Sequence, residues 1–193
     1  MPKKSEIFAT TLAILALLAA PVAAEPLVRM STSYYYIDGA SAMILTEQIN
    51  QNGPVGIDGR RHPSRTKWNV QWKFRHNVRE GMCGMDDATV AVGINNTRPR
   101  WRGENTGPAS LQRRWTQLIA AVERSEEFHK QQATRAGNEI LAALKALPAG
   151  RNCQTLIETA NRTANEIMNK YQAVSEAYDR RTEHGRRDGA ALI

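Results

Sequence analysis

Between Trp68 and Val78 apolar and polar residues alternate. Trp68, Val70, Trp72, Phe74 and Val78 fall on one side, Asn69, Gln71, Lys73, Arg75 and Asn77 on the other. A period of two over this length predicts a half-buried strand, with His76 on its apolar face. Thr89–Asn95 repeats the pattern with Val90, Val92 and Ile94 inward, and Pro99 closes the segment. Glu80–Asp87 reads as the loop joining the two, so the simple arrangement is an antiparallel pair. A third β-rich piece, Ser33–Ile37, stops at Asp38-Gly39. Residues 41–51 read as a short amphipathic helix ended by Asn52-Gly53-Pro54.

From Gly107 the apolar step changes from two to three and four. Trp115, Leu118, Ile119, Val122, Ser125, Glu126, His129, Ala133, Ala136, Ile140 and Leu144 form one stripe, broken at Pro148-Ala149-Gly150. A second helix, from about Asn152 to Tyr178, carries Leu156, Ile157, Ala160, Ala164, Ile167, Met168, Tyr171, Val174 and Ser175 inward. The expected architecture is α+β: a small antiparallel sheet packed on a long helical hairpin.

The N-terminus changes the picture of where this fold works. Lys3 and Lys4 precede the apolar run at 7–20, and Val22-Ala23-Ala24 offers small residues before Glu25. That is the pattern of a secretory signal peptide over residues 1–24, which leaves a single domain over 25–193. No later run of comparable length is apolar, so no stable membrane span is expected after cleavage, and the location expected is the periplasm or the medium. Two cysteines, Cys83 and Cys153, lie about 70 residues apart. In an exported chain such a pair is most simply a disulfide, worth roughly 4 kcal/mol on the chain-entropy account, with two buried thiols as the alternative. A cysteine metal site is disfavoured because no Cys-x-x-Cys occurs.

The formal charge is +7. Its arginines come as scattered pairs interleaved with acids, without the concentrated basic stripe that nucleic-acid binding requires, so the expectation is no nucleic-acid partner. A basic surface facing an anionic cell envelope is the simpler reading, with a peptide or an envelope protein as partner. Oligomeric state has no signal in the chain.

Candidate chemistry sits in the middle of the helical stripe. Ser125-Glu126-Glu127-Phe128-His129 places an acid and a histidine one turn apart on a face that should be buried, where polar groups need partners. Several ordered pieces surround it: SYYYIDG, the NGP turn, TKWNVQWKF, the Cys83 segment with TVAVGINNTRPRW, RRWTQLIAAVERSEEFHKQQA, Cys153 and YDRRTEHGRRDGA. In this order they resemble the bacterial predicted secreted zinc-dependent protease family, a domain-of-unknown-function group with a zincin-like motif.

The resemblance implies a zincin-like fold with a His-Glu-x-x-His helix at 125–129. Glu126 then matches the general base and His129 a zinc ligand. In the element Tyr178–Gly185, His184 matches a further ligand. Ser125 departs from the pattern, since it stands where the first ligand belongs. A zinc peptidase needs three protein ligands and an open position for water. With Ser125 in place, zinc is expected to be held weakly or not at all. Three substitutes for the missing nitrogen are conceivable: Glu126 turning from base to ligand, His76 swinging in from its strand, or His62 reaching over from a Pro- and Arg-rich loop. The expectation is therefore a periplasmic or secreted pseudoenzyme that acts by binding. The alternative is an active metallopeptidase with a rearranged metal site.

Overall fold

The computed structural model describes residues 25–193, so the expected signal peptide lies outside the described residues. The chain forms strand β1 (Leu27–Ile37), helix α1 (Ala42–Asn52), strands β2 (Arg65–Arg79) and β3 (Met82–Trp101), and helices α2 (Ala109–Lys145) and α3 (Cys153–Thr182). A short 3-10 turn, Arg186–Asp188, follows. None of the described helices is long and apolar enough to cross a membrane.

The strand order is β1-β3-β2. The expected antiparallel pair is β2–β3, and β1 joins the other side of β3 in parallel, so the three-stranded sheet is mixed. The parallel pairing follows from the connection. The chain leaves β1 through α1 and turns once more at the β2–β3 hairpin before β3 runs alongside β1. Most of β1 is exposed, which explains why only its last, tyrosine-rich part stood out as β-forming.

β3 begins at Met82, well inside the segment expected to be a loop. The turn needs only Glu80 and Gly81, both at positive φ (52° and 74°), the pattern of a two-residue hairpin turn. Asp86 and Asp87 lie on the strand and bond to Asn77 and Arg75. Their polarity reflects solvated strand ends. A register shift between Arg75 and His76 interrupts the alternation, so Val78 is 63% exposed and His76 lies at the surface instead of facing the core. β3 also continues through Pro99 to Trp101. β2 stops pairing at Thr97, so beyond it β3 has only β1 to satisfy.

The helical hairpin follows its periodicity except at Val174, expected inward on α3 but 41% exposed, because near its C-terminal end α3 borders the cleft and not the core. Helix α2 has 37 residues, about 55 Å at 1.5 Å per residue. It packs on the sheet closely enough that a Cβ on Gly137 would meet the Val92 side chain at 2.6 Å. Asn152 caps α3 by accepting from the amides of Gln154 and Thr155 at 2.8 and 3.2 Å. The Cys83–Cys153 disulfide joins β3 to the first residue of α3, with Cα atoms 5.2 Å apart. Cys83 and Gly150 exchange backbone hydrogen bonds beside it.

Two apolar clusters form. One packs Val70, Val90, Val92 and Ile94 of the sheet against Ala133, Ile140 and Leu144 of α2 and Ala160 and Ile167 of α3. The other gathers Ile37, Leu45, Trp101, Trp115, Leu118 and Val122 with Leu192. Helix α2 passes through both. The turns between Val122 and Ala133 bury Ser125, Glu126, His129 and Gln132, so the stripe is polar where the two clusters part.

Candidate functional site

A cleft of about 400 Å³ opens at this polar stretch. Ser125 and His129 of α2 form its floor, Ser175 and Asp179 of α3 one side, and Ser64–Trp68 at the start of β2 the other. His62, from the loop before β2, and His184, just past α3, close the end.

Glu126 lies on the same turn but points elsewhere. Its carboxylate accepts from Arg98 Nε at 2.8 and 2.7 Å, from Arg98 Nη2, and from Asn96 Nδ2 at 3.0 Å. Glu123 adds a second carboxylate to Arg98 at 3.1 Å. Glu126 is 4% exposed and is not among the residues lining the cleft. Burial pushes its carboxyl upward from the usual glutamate range, and the hydrogen bonds from Arg98 pull against that. The same bonds hold the Arg98 guanidinium charged.

His129 turns its Nε2 to Asp179 Oδ1 at 3.0 Å. Its ring sits edge-on to Tyr178, which stacks on Phe128 with centroids 3.9 Å apart. His184 reaches the other oxygen of Asp179, Nδ1 to Oδ2 at 4.0 Å. The two histidines matched by the resemblance thus meet at one carboxylate. His184 owes its place to the end of α3. Glu183 and His184 both take the left-handed conformation (φ 51° and 55°), each at an order of 1 kcal/mol or more. The amide of His184 donates to Asp179 O at 2.8 Å, and that of Gly185 to Thr182 Oγ1 at 3.0 Å. This turn folds the imidazole back over the last helical turn.

His62 reaches the site from a built loop. Val55 and Arg61 form a bridge, the His62 amide donates to Pro54 O at 3.0 Å, and the Gly56 amide donates to Arg60 O at 2.7 Å. Within it Asp58 Oδ1 lies 3.0 Å from His62 Nε2, and Asp58 Oδ2 lies 3.5 Å from His184 Nε2. The two imidazoles stack with centroids 3.7 Å apart. The hydrogen bond from His62 holds the Asp58 carboxyl down at about 2. Burial, and next the proximity of His62, push His184 below the usual histidine range. In a ring-proton NMR titration His184 should therefore protonate at lower pH than a histidine in an unfolded peptide. Titration at or above the ordinary value would contradict the packing of this corner.

The donor set decides how well zinc would fit. At the helix, Ser125 offers a neutral hydroxyl, and the one imidazole, His129, has its Nε2 engaged by Asp179. Among the described residues, only two sets of three acids, histidines and cysteines bring their donor atoms all within 4.8 Å of one another. These are Asp58, His62 and His184, and His76 with Cys83 and Cys153. The second set holds a disulfide, whose sulfurs cannot act as thiolate ligands. His76 lies there, outside the cleft. At the helix no third acid, histidine or cysteine among the described residues joins His129 and Asp179 within that distance, while the loop corner brings three such groups together.

Sequence reasoning singled out Glu126, His129 and His184, and weighed His62 as a substitute. It missed Asp58 and Asp179. Asp179 falls inside the quoted element Tyr178–Gly185, where its position one helical turn and a cap before His184 was the available signal. Asp58 lies in an irregular segment with no periodic signal.

The family model described as "Bacterial protein of unknown function (DUF922)" matches residues 32–185. No curated protein and no solved structure matches the chain.

Proposed function

We propose, for a chain that belongs to this bacterial DUF922 family, an exported zincin-like protein that has lost peptidase chemistry and acts by binding extended peptide segments in the cell envelope. The single observation that carries this reading is the clamp on Glu126. A general base must reach the water it deprotonates, and this carboxylate is committed to Arg98 and Asn96 behind the cleft wall. Ser125 removes a ligand in addition.

Binding, by contrast, has a suitable surface. β2 lies at one edge of the sheet, its far side has no strand partner among the described residues, and its first residues, Arg65–Trp68, wall the cleft. An extended peptide laid along such an edge gains main-chain hydrogen bonds, and neighbouring pockets read its alternate side chains. Trp68 and Ile57 supply apolar contact, while Lys67, Glu176 and Asp179 supply charges of both signs. The disulfide fits an oxidising compartment.

The test is proteolysis of a denatured-protein digest library in the presence of zinc, followed by mass spectrometry of new termini. The wild type should produce none above a metal-free control, and immobilised protein should retain a subset of the peptides. Zinc-dependent cleavage by the wild type would promote the rearranged enzyme instead. Ser125→His should take up one zinc ion more than the wild type, because the new imidazole lies one turn before His129 with Asp179 beside it. Cleavage should stay at background in that variant, since Arg98 still holds Glu126. Metal analysis after gel filtration checks the first point, and the same library the second.

A further inference from the structure

We propose that Asp58, His62 and His184 form a binding site for a divalent transition-metal ion at the end of the cleft, away from the α2 helix where the resemblance places zinc. The inference rests on the reading that the helical centre is incomplete, and it adds a ligand class and a location to that reading.

The geometry comes first. Metal bonds to imidazole nitrogen and carboxylate oxygen are near 2.0–2.2 Å, and donors around a four-coordinate ion are then about 3.3–3.6 Å apart. The separations from Asp58, 3.0 Å from Oδ1 to His62 Nε2 and 3.5 Å from Oδ2 to His184 Nε2, lie close to that spacing. Two rings bonded to one four-coordinate ion would have centroids about 5 Å apart, so the present stack at 3.7 Å must open as the ion enters. Two imidazoles and one carboxylate make a donor set suited to zinc and its first-row neighbours.

The surroundings are also those of a metal site. His184 turns Nε2 to Asp58 and Nδ1 toward Asp179. A carboxylate behind the non-coordinating nitrogen fixes the ring and its tautomer in many metal centres. Asp179 is in turn held by His129, so His129 acts as a positioning residue. Gly56 leaves the space open. A Cβ there would stand 2.7 Å from Asp58 Oδ1 and 2.8 Å from His62 Nε2, against the two donor atoms themselves. Both histidines line the cleft, so a fourth ligand position would face it and be open to water or to a group on a bound peptide.

Zinc affinity by chelator competition tests the assignment, on the wild type and on three variants. His62→Ala should weaken zinc by about 100-fold, since it removes a ligand. Gly56→Ala should weaken it comparably without removing any ligand residue, by pushing the Asp58 and His62 donor atoms apart. His129→Ala, which reaches the ion only through Asp179 and His184, should change it no more than about 10-fold, the lower end of effects from groups behind the ligands. A wild type without measurable zinc binding would overturn the proposal. So would a collapse of affinity in His129→Ala with His62→Ala near wild type, which would return the ion to the helix. A measurement on the unaltered protein guards against variants that fail to fold. Cobalt(II) should shift and broaden the ring signals of His62 and His184 more than those of His129 and His76, and the reverse order would refute the site. None of these readouts involves peptide cleavage, so loss of the metal site would leave the peptide-binding reading standing, and zinc-dependent cleavage would remove that reading without moving the site.

Discussion

Arg98→Met is expected to destabilise the protein by about 3–5 kcal/mol, because it leaves the buried Glu126 carboxylate without its counter-ion. Methionine fills much of the arginine stem, so lost packing is a minor part of that figure. The Asn96 amide still donates to Glu126 at 3.0 Å, but one neutral hydrogen bond does not offset a buried charge. At roughly 2–4 °C per kcal/mol for a chain of this size, the melting temperature should fall by roughly 10 °C or more.

The pH dependence of the variant gives the mechanism away. Burial raises the Glu126 carboxyl above its unfolded value, and removing Arg98 removes the main opposing influence. A carboxyl raised on folding favours the folded state at low pH, where it is protonated in both states. That contribution is lost as pH rises through the folded value. The penalty in Arg98→Met should therefore be largest at neutral pH and shrink on acidification toward the ordinary glutamate range. Arg98→Met combined with Glu126→Leu should recover much of the loss at neutral pH, since an apolar pair of similar volume replaces the ions. Chemical denaturation of wild type, single and double variants at two pH values decides it. A single variant as stable as wild type at neutral pH would mean that Glu126 is not held as a buried ion.

The second large effect concerns the disulfide. Replacing both Cys83 and Cys153 by serine opens a loop of 70 residues. On the chain-entropy account this costs about 4 kcal/mol, again roughly 10 °C in melting temperature. The local consequences should be uneven. Cys83 is buried, and its backbone pairs with Gly150 at the α2–α3 connection. Hydrogen exchange should therefore rise first at Met82–Met85 and at the start of α3. The α2 turns around Leu118 and Val122 belong to the other cluster and should be affected less. Scanning calorimetry of the oxidised protein against the double variant measures the total, and equal melting temperatures would show that the cross-link adds nothing.

Several departures from the sequence reading have a physical origin in solvation, and the others in register and in contacts distant in sequence. Alternation predicts a strand only when one face is dry and the other wet. Trp68–Phe74 met that condition and was read correctly. β1, exposed along most of its length, and the distal part of the hairpin did not, and there Asp86 and Asp87 looked like loop. His76 was assigned inward by parity, which the register shift at Arg75/His76 overturned. Glu126 was placed on the inward stripe of the helix, and the resemblance matched it to a general base. Its actual partners are on β3, and nothing local in Glu126 announces Arg98.

The chain by itself determined the two long helices, their inward faces, the antiparallel β2–β3 pair, and the pairing of its only two cysteines. Each of these follows from residues near one another in sequence or from there being no other candidate. It also marked the polar interval Ser125–His129 in an otherwise apolar stripe, which is where the cleft lies. Only the tertiary structure decided that β1 runs parallel to β3 and that Glu126 faces the sheet. The same holds for the meeting of Asp58 and His62, more than a hundred residues from His184 in sequence, at the end of α3. Such a meeting depends on where a 53–64 loop and a left-handed helix terminus come to rest against each other, and that is set by packing between elements, which no periodicity within either segment encodes.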